Sequence, residues 1–176
     1  MCCQNIHEIP GGATFQGNPL TLAGNPVKVG IAAPGFSVLD NGLAPVTLAA
    51  FAGKIAVLIV VPSLDTPVCD LETKKFNAAA AKLSDSVKLA VISVDLPFAQ
   101  ARWCGAADVK KIQSLSDHRD TSFGLAYGLL IKELRLLARA VVIIGKDGKV
   151  AYVELVKEIT QEPNYQAALD AITKLS

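Results

Sequence analysis

Two short apolar runs dominate the hydropathy pattern, Ile55–Val61 (IAVLIVV) and Ala140–Ile144 (AVVII). Both are rich in β-branched residues, and both read as buried strands. Around them the period changes. Val68, Leu71, Phe76, Ala79, Ala80 and Leu83 recur near helical spacing and predict a helix over Val68–Leu83. Val87–Val94 returns to a strand. A loop containing Pro97 follows, then short helices around Gly105–Lys111 and Ser122–Tyr127. Lys146-Asp147-Gly148 is a hairpin turn joining Ala140–Ile144 to Val150–Val156. Tyr165–Leu175 closes the chain as a helix, with Ala168, Ile172 and Leu175 on one face.

The N-terminal part is more broken. Residues 1–13 are polar, end in glycines and read as a flexible tail. Between Thr14 and Gly30, apolar–polar stretches split by Gly17-Asn18 and Gly24-Asn25 predict a β-hairpin. Pro34-Gly35 breaks the chain before a short strand at Phe36–Leu39, and another loop leads to Thr47-Leu48 and a turn at Gly53-Lys54. The expectation is one domain over residues 14–176. Its fold is α/β, with a mixed central sheet flanked by helices, because the terminal hairpin demands antiparallel pairing. A thioredoxin-like arrangement with an N-terminal β-hairpin fits this order.

The chain has 176 residues, a length that suits a single core. Hydrophobic residues make up 51% and charged residues 19%, which excludes a disordered chain. Seventeen basic and sixteen acidic side chains are interspersed, for a net charge of +1. No basic stripe is present, which argues against nucleic acid and against a cationic membrane-surface helix. Neither apolar run approaches the roughly 18 residues that a membrane span needs. The start, MCCQNIHEIPGG, lacks the charged and apolar regions of a secretion signal, so the expected location is the cytoplasm.

Four cysteines, Cys2, Cys3, Cys69 and Cys104, are too few for a disulfide scaffold. With no Cys-x-x-Cys pair and only His7 and His118 besides, no structural metal site and no cofactor are expected. The cysteines are either buried filler or redox groups. Cys2 and Cys3 read as adventitious tail thiols, with intermolecular disulfides or lipid attachment as the alternatives.

The informative segment is Pro62-Ser63-Leu64-Asp65-Thr66-Pro67-Val68-Cys69, which follows a strand and opens a helix. Pro67 suits the first helical turn, and Thr66 suits the N-cap. Cys69 then lies in the first turn, near unpaired N–H groups and the positive end of the helix dipole, an environment that favours thiolate over thiol. By position alone Cys69 also fits a small buried hydrophobe. Asp65 and Asp70 flank it and are expected to point away, since carboxylates would oppose a thiolate.

PSLDTPVCDLETKKFN resembles the active-site segment of peroxiredoxins, Pro-x-x-x-Thr-x-x-Cys, with Pro62, Thr66 and Cys69 in the three places. Asp95-Leu96-Pro97-Phe98-Ala99-Gln100-Ala101-Arg102-Trp103-Cys104 resembles the resolving-cysteine stretch of the atypical two-cysteine thiol peroxidases. Leu137-Ala138-Arg139-Ala140-Val141-Val142 resembles the strand that carries the family's active-site arginine. FQGNPLTLAGN and EITQEPNYQAAL extend the resemblance from about Thr14 to Leu175, and only the residues from Cys2 to Gly12 look unlike the usual start.

The resemblance implies a thiol-dependent peroxidase. Cys69 attacks hydrogen peroxide or an organic hydroperoxide and becomes a sulfenic acid. Arg139, otherwise a candidate for a surface salt bridge, supplies a permanent cation for the two peroxide oxygens. Thr66 can both donate and accept there, besides capping the helix. Pro62, otherwise a strand terminator, packs over Cys69. Cys104, otherwise a structural cysteine, attacks the sulfenic acid to give an intramolecular Cys69–Cys104 disulfide, which thioredoxin reduces. Helix starts near both cysteines are expected to unwind for this. The resemblance also implies a homodimer with contacts near the active-site loops. Arg102 is either an exposed arginine or an aid to anions and to Cys104. Trp103 should report the redox state. The competing function is a redox sensor or binding protein on the same fold, and a disulfide oxidoreductase is disfavoured by the absent Cys-x-x-Cys.

Overall fold

The computed structural model describes residues 6–107 and 109–176. The chain begins with β1 (Glu8–Phe15), β2 (Asn18–Ala23), β3 (Ser37–Leu39) and β4 (Pro45–Thr47), then a short 3-10 turn. Next come β5 (Ile55–Val60), α1 (Pro67–Ala80), β6 (Val87–Ser93), α2 (Pro97–Ala107), β7 (Ile112–Ser116) and α3 (Ser122–Tyr127). It ends with β8 (Leu130–Ile131), β9 (Leu136–Leu137), β10 (Ala140–Ile144), β11 (Val150–Leu155) and α4 (Tyr165–Leu175).

The two apolar runs lie side by side at the middle of a seven-stranded sheet, ordered β11-β10-β5-β6-β7-β3-β4. β5, β6 and β7 pair in parallel, while β10 and β11 pair antiparallel. Strand alternation sends successive residues to opposite faces, and here both faces are covered. Ala56, Leu58, Val60, Val142 and Ile144 join Phe36, Phe123 and Tyr127 in one core. Ile55, Val57, Ile59, Val141 and Ile143 face the other way, against Cys69 and Phe76 of α1 and Ala168 and Ile172 of α4. That double burial is why the runs read as continuously apolar rather than alternating.

A second sheet, β1-β2-β8-β9, carries the N-terminal hairpin. The Glu158 carboxylate ties that hairpin to the segment after β11. It accepts from the Thr14 hydroxyl at 2.9 Å, the Gln16 N–H at 3.1 Å and the Gly17 N–H at 3.0 Å. The Gly17 N–H foremost, then the Thr160 and Thr14 hydroxyls, hold its pKa down to about 2. Next to it, the Ile159 N–H donates to the Thr14 carbonyl at 3.0 Å. The hairpin thereby fixes Ile159, whose carbonyl accepts from Arg139.

The structure moves several predicted boundaries. The hairpin starts at Glu8 rather than Thr14, so residues 8–13 are strand. The helix placed at Gly105–Lys111 instead runs Pro97–Ala107. Pro97 opens it rather than sitting in a loop, because a first-turn residue needs no N–H acceptor. The Gln100 N–H closes that turn onto the Leu96 carbonyl at 3.0 Å. α1 ends at Ala80, and Lys82 and Leu83 continue only in tighter bonds to Ala79 and Ala80. β7, β8 and β9 were not anticipated. IQSLS of β7 carries too many polar positions to stand out, and the other two are only two residues each. Cys2 and Cys3 lie outside the described residues.

Candidate active site

The site grows from the loop after β5. Asp95, just beyond β6, organises that loop with its carboxylate. It accepts from the Ser63 hydroxyl at 2.7 Å, the Leu64 N–H at 2.8 Å and the Ser93 hydroxyl at 2.7 Å. The loop then delivers Thr66 as the residue before α1, in extended conformation, with Pro67 inside the first turn as expected. The Thr66 side chain caps no N–H of the helix. Its hydroxyl lies 2.9 Å from the Ser63 carbonyl and 2.8 Å from Cys69 Sγ. One hydroxyl proton serves only one acceptor at a time. With a thiol, the S–H donates to Thr66 and Thr66 donates to Ser63; with a thiolate, Thr66 turns its proton to the sulfur.

Arg139 approaches from the opposite side, on the residue preceding β10. It is 1% exposed, yet it is a full cation in the core. Its Nη2 donates to Cys69 Sγ at 3.3 Å, and Nε and Nη2 donate to the Ile159 carbonyl at 3.0 and 2.9 Å. Nη1 donates to Glu72 Oε2. Burial alone would push the arginine's pKa down; Glu72 and Cys69 together outweigh it and hold it above the usual value. The sequence-predicted Thr66, Cys69 and Arg139 therefore converge on one sulfur atom. Pro62 is buried in the loop between Val61 and Ser63.

Cys104 is not brought to that point. It lies half-buried in α2, with Sγ 3.4 Å from the Ser114 hydroxyl of β7, which in turn donates to Asn41 Oδ1 at 3.0 Å. Both Cys69 and Cys104 are free thiols. A cleft of about 350 Å³ runs between Ser63–Asp65 and the α2 residues Ala99, Arg102, Trp103 and Ala106. Arg102 is exposed there. Asp70 turns away from Cys69, bonded to Lys74 at 2.9 Å and to the Trp103 indole N–H at 3.2 Å, and Asp65 is exposed. His7 is exposed and His118 bonds Ser116, so neither serves Cys69. Among the described residues, no group of three or more His, Cys, Asp or Glu side chains could hold a metal, and no helix is long and apolar enough to cross a membrane.

Sequence reasoning missed Glu72, Asp95 and Ile159. Glu72 had a detectable signal. Cys69, Glu72, Thr73 and Phe76 are spaced i, i+3, i+4, i+7, and they are the buried stripe of α1. The apolar pattern had pointed instead to Val68 and Leu71, and Leu71 is 43% exposed. Of the polar residues on that face, Glu72 meets Arg139 and Thr73 bonds back to the Cys69 carbonyl at 2.8 Å.

Known proteins share this fold. A family model described as Redoxin matches residues 28–169, so the chain belongs to the Redoxin family, and its fold is the mixed α/β, thioredoxin-like fold of peroxiredoxins. A peroxiredoxin-like protein from Aquifex aeolicus superposes with a TM-score of 0.88 at 42% identity, covering 98% of this chain and 100% of that one. Within the family the chain groups with the thiol peroxidases. It is 57% identical to the thiol peroxidase of Halalkalibacterium halodurans, over 90% of this chain and 95% of that one. It is 54% identical to the thiol peroxidase of Bacillus subtilis, over 92% and 96%.

Proposed function

We propose that the protein reduces hydroperoxides with Cys69 as the nucleophile. The observation that carries this is the pair of contacts on one buried sulfur, Thr66 Oγ1 at 2.8 Å and Arg139 Nη2 at 3.3 Å. Both groups stabilise negative charge on sulfur, and both are placed to bind the oxygens of a peroxide lying against it. Thr66 is the exposed member, so the substrate's route runs past its hydroxyl.

The thiolate attacks the terminal oxygen of ROOH. An S–O bond forms, the O–O bond breaks, and the leaving oxyanion is protonated by water to give the alcohol, leaving Cys69 as sulfenic acid. Arg139 offsets the charge that develops on the leaving oxygen. Pro62, buried within the loop after β5, is assigned to limiting water at the sulfenic acid. The Cys104 thiol then attacks the sulfenic sulfur, releasing water and forming the Cys69–Cys104 disulfide. A dithiol donor, thioredoxin by family resemblance, returns both to thiols. A disulfide requires Cα atoms within roughly 7 Å. Cys104 is bonded to Ser114 rather than to Cys69, so that bond is expected to break first, with α2 and the first turn of α1 unwinding.

A homodimer with contacts near the active-site loops is supported by the exposed Leu96 and Phe98 at the start of α2, beside that cleft. The chemical test is to treat the reduced protein with peroxide and dimedone and map the adduct. The Cys104→Ser variant should carry it on Cys69; adduct elsewhere, with Cys69 unmodified, contradicts the assignment.

A further inference from the structure

Glu72 is the one buried acid at the site that the peroxide chemistry leaves without a task. It is 0% exposed, on the same face of α1 as Cys69. Its Oε2 accepts from Arg139 Nη1, and its Oε1 is buried with no hydrogen-bond partner. A carboxylate oxygen orphaned in the core is costly, and a buried charge needs full pairing to persist. Arg139 meets only one of the two oxygens: Nη1 bonds Oε2, while Nε and Nη2 are turned to Ile159 and Nη2 also reaches Cys69 Sγ.

We propose that Glu72 is a positioning residue that competes with the Cys69 thiolate for the single guanidinium charge of Arg139, so that protonation of Glu72 hands that charge to the sulfur. The inference rests on the reading of Cys69 as the reactive thiol. Two anions and one cation in a dry pocket leave an uncompensated charge; one anion and one cation do not. The protonated carboxyl keeps a carbonyl-type oxygen for Arg139 and loses its charge. Thiolate and Glu72 carboxylate are thus antagonists, and the state with ionised sulfur and neutral Glu72 is the reactive one.

The surrounding groups push the same way. Burial is the main cause raising Glu72 to a pKa of about 7, with Arg139 opposing it and Glu154 and Glu162 adding to the rise. Glu154 on β11 accepts from the Tyr152 hydroxyl, and Glu162 pairs with Lys75 and the Tyr165 hydroxyl. Lys75 sits over the Tyr165 ring and is already engaged by Glu162, so Arg139 is the cation on which Glu72 depends.

Linkage makes the test reciprocal, because each group must shift the other by an equal amount. The thiolate absorbance of the reduced Cys104→Ser protein is titrated without peroxide, with and without Glu72→Gln. The isostere keeps an oxygen for Arg139 and removes the charge. The thiolate should appear at a pH lower by about one unit, as expected for loss of a like charge nearby. In the protein with natural Glu72, the ¹³C carboxyl signal of Glu72 should then titrate at correspondingly lower pH in Cys69→Ser, where no thiolate can form. That second titration needs no substitution at Glu72 and decides the matter if Glu72→Gln fails to fold. Unchanged titrations in both experiments overturn the proposal and leave Glu72 a structural partner. Both readouts are made without substrate, so a protein that showed the coupling but left peroxide unreacted would refute the peroxidase reading and not this one.

Discussion

The indole N–H of Trp103 donates to the carboxylate of Asp70 across 3.2 Å, tying the residue before Cys104 to the residue after Cys69. The two cysteines themselves make no contact, one bonded to Thr66 and Arg139 and the other to Ser114. The bond between their neighbours is thus a brace between α1 and α2 in the reduced protein. The proposed Cys69–Cys104 disulfide is expected to release it. Trp103, half-buried and bonded in the reduced state, is predicted to change its emission when peroxide is added, and Cys104→Ser should abolish the change. Identical spectra before and after oxidation of the natural sequence would show that α2 stays in place.

Arg139 makes bonds to Cys69, Glu72 and Ile159 with one planar group. Lysine cannot span those partners, since it presents a point charge on a flexible stem. Arg139→Lys is therefore expected to slow sulfenic acid formation by about 100-fold or more, the scale seen when one donor to a developing oxyanion is lost. Rapid-mixing measurement of Cys69 oxidation checks it; a loss of less than tenfold would remove the arginine from the chemistry.

Thr66 contributes a hydroxyl and a methyl group, and the hydroxyl bonds the sulfur. Thr66→Val should lower the oxidation rate about 10- to 100-fold, matching the roughly 1.5–3 kcal/mol of a hydrogen bond to a charged group. Thr66→Ser should retain most of the rate. Equal losses in both variants would point to loop packing instead of hydrogen bonding.

The raised pKa of Glu72 also has a signature in stability. A folded-state value of about 7 above a reference of 4.5 means that the fold prefers the protonated acid. Its contribution is fully present below the unfolded pKa of 4.5 and is lost as pH rises through about 7. The shift corresponds to about 3 kcal/mol. Under reducing conditions Glu72→Gln should match the natural sequence in thermal stability near pH 4.5 and exceed it at pH 8. A constant difference between the two proteins across that range contradicts the titration.

Much of this was legible in the chain, and the exceptions have physical causes. The buried strands announced themselves because both of their faces are packed, as in Ile55–Val60 and Ala140–Ile144. Thr66, Cys69 and Arg139 followed from motif order, and the structure joins them. Cys104 was expected just before a helix and instead lies within α2, because Pro97 reads equally as a loop breaker and as a helix starter. Glu72 hid because the stripe facing Arg139 is polar, while hydrophobic periodicity drew attention to Leu71 on the solvent side. Asp95 and Ile159 act through a loop and a backbone carbonyl contributed from distant parts of the chain, which no local pattern encodes.

In the proposed mechanism, peroxide reduction starts at Cys69 and turnover needs Cys104. Peroxide consumption coupled to thioredoxin and its reductase tests it most directly. The natural sequence should turn over many times, Cys69→Ser should consume none above background, and Cys104→Ser should consume one equivalent and stop. Sustained turnover by Cys69→Ser would contradict the account.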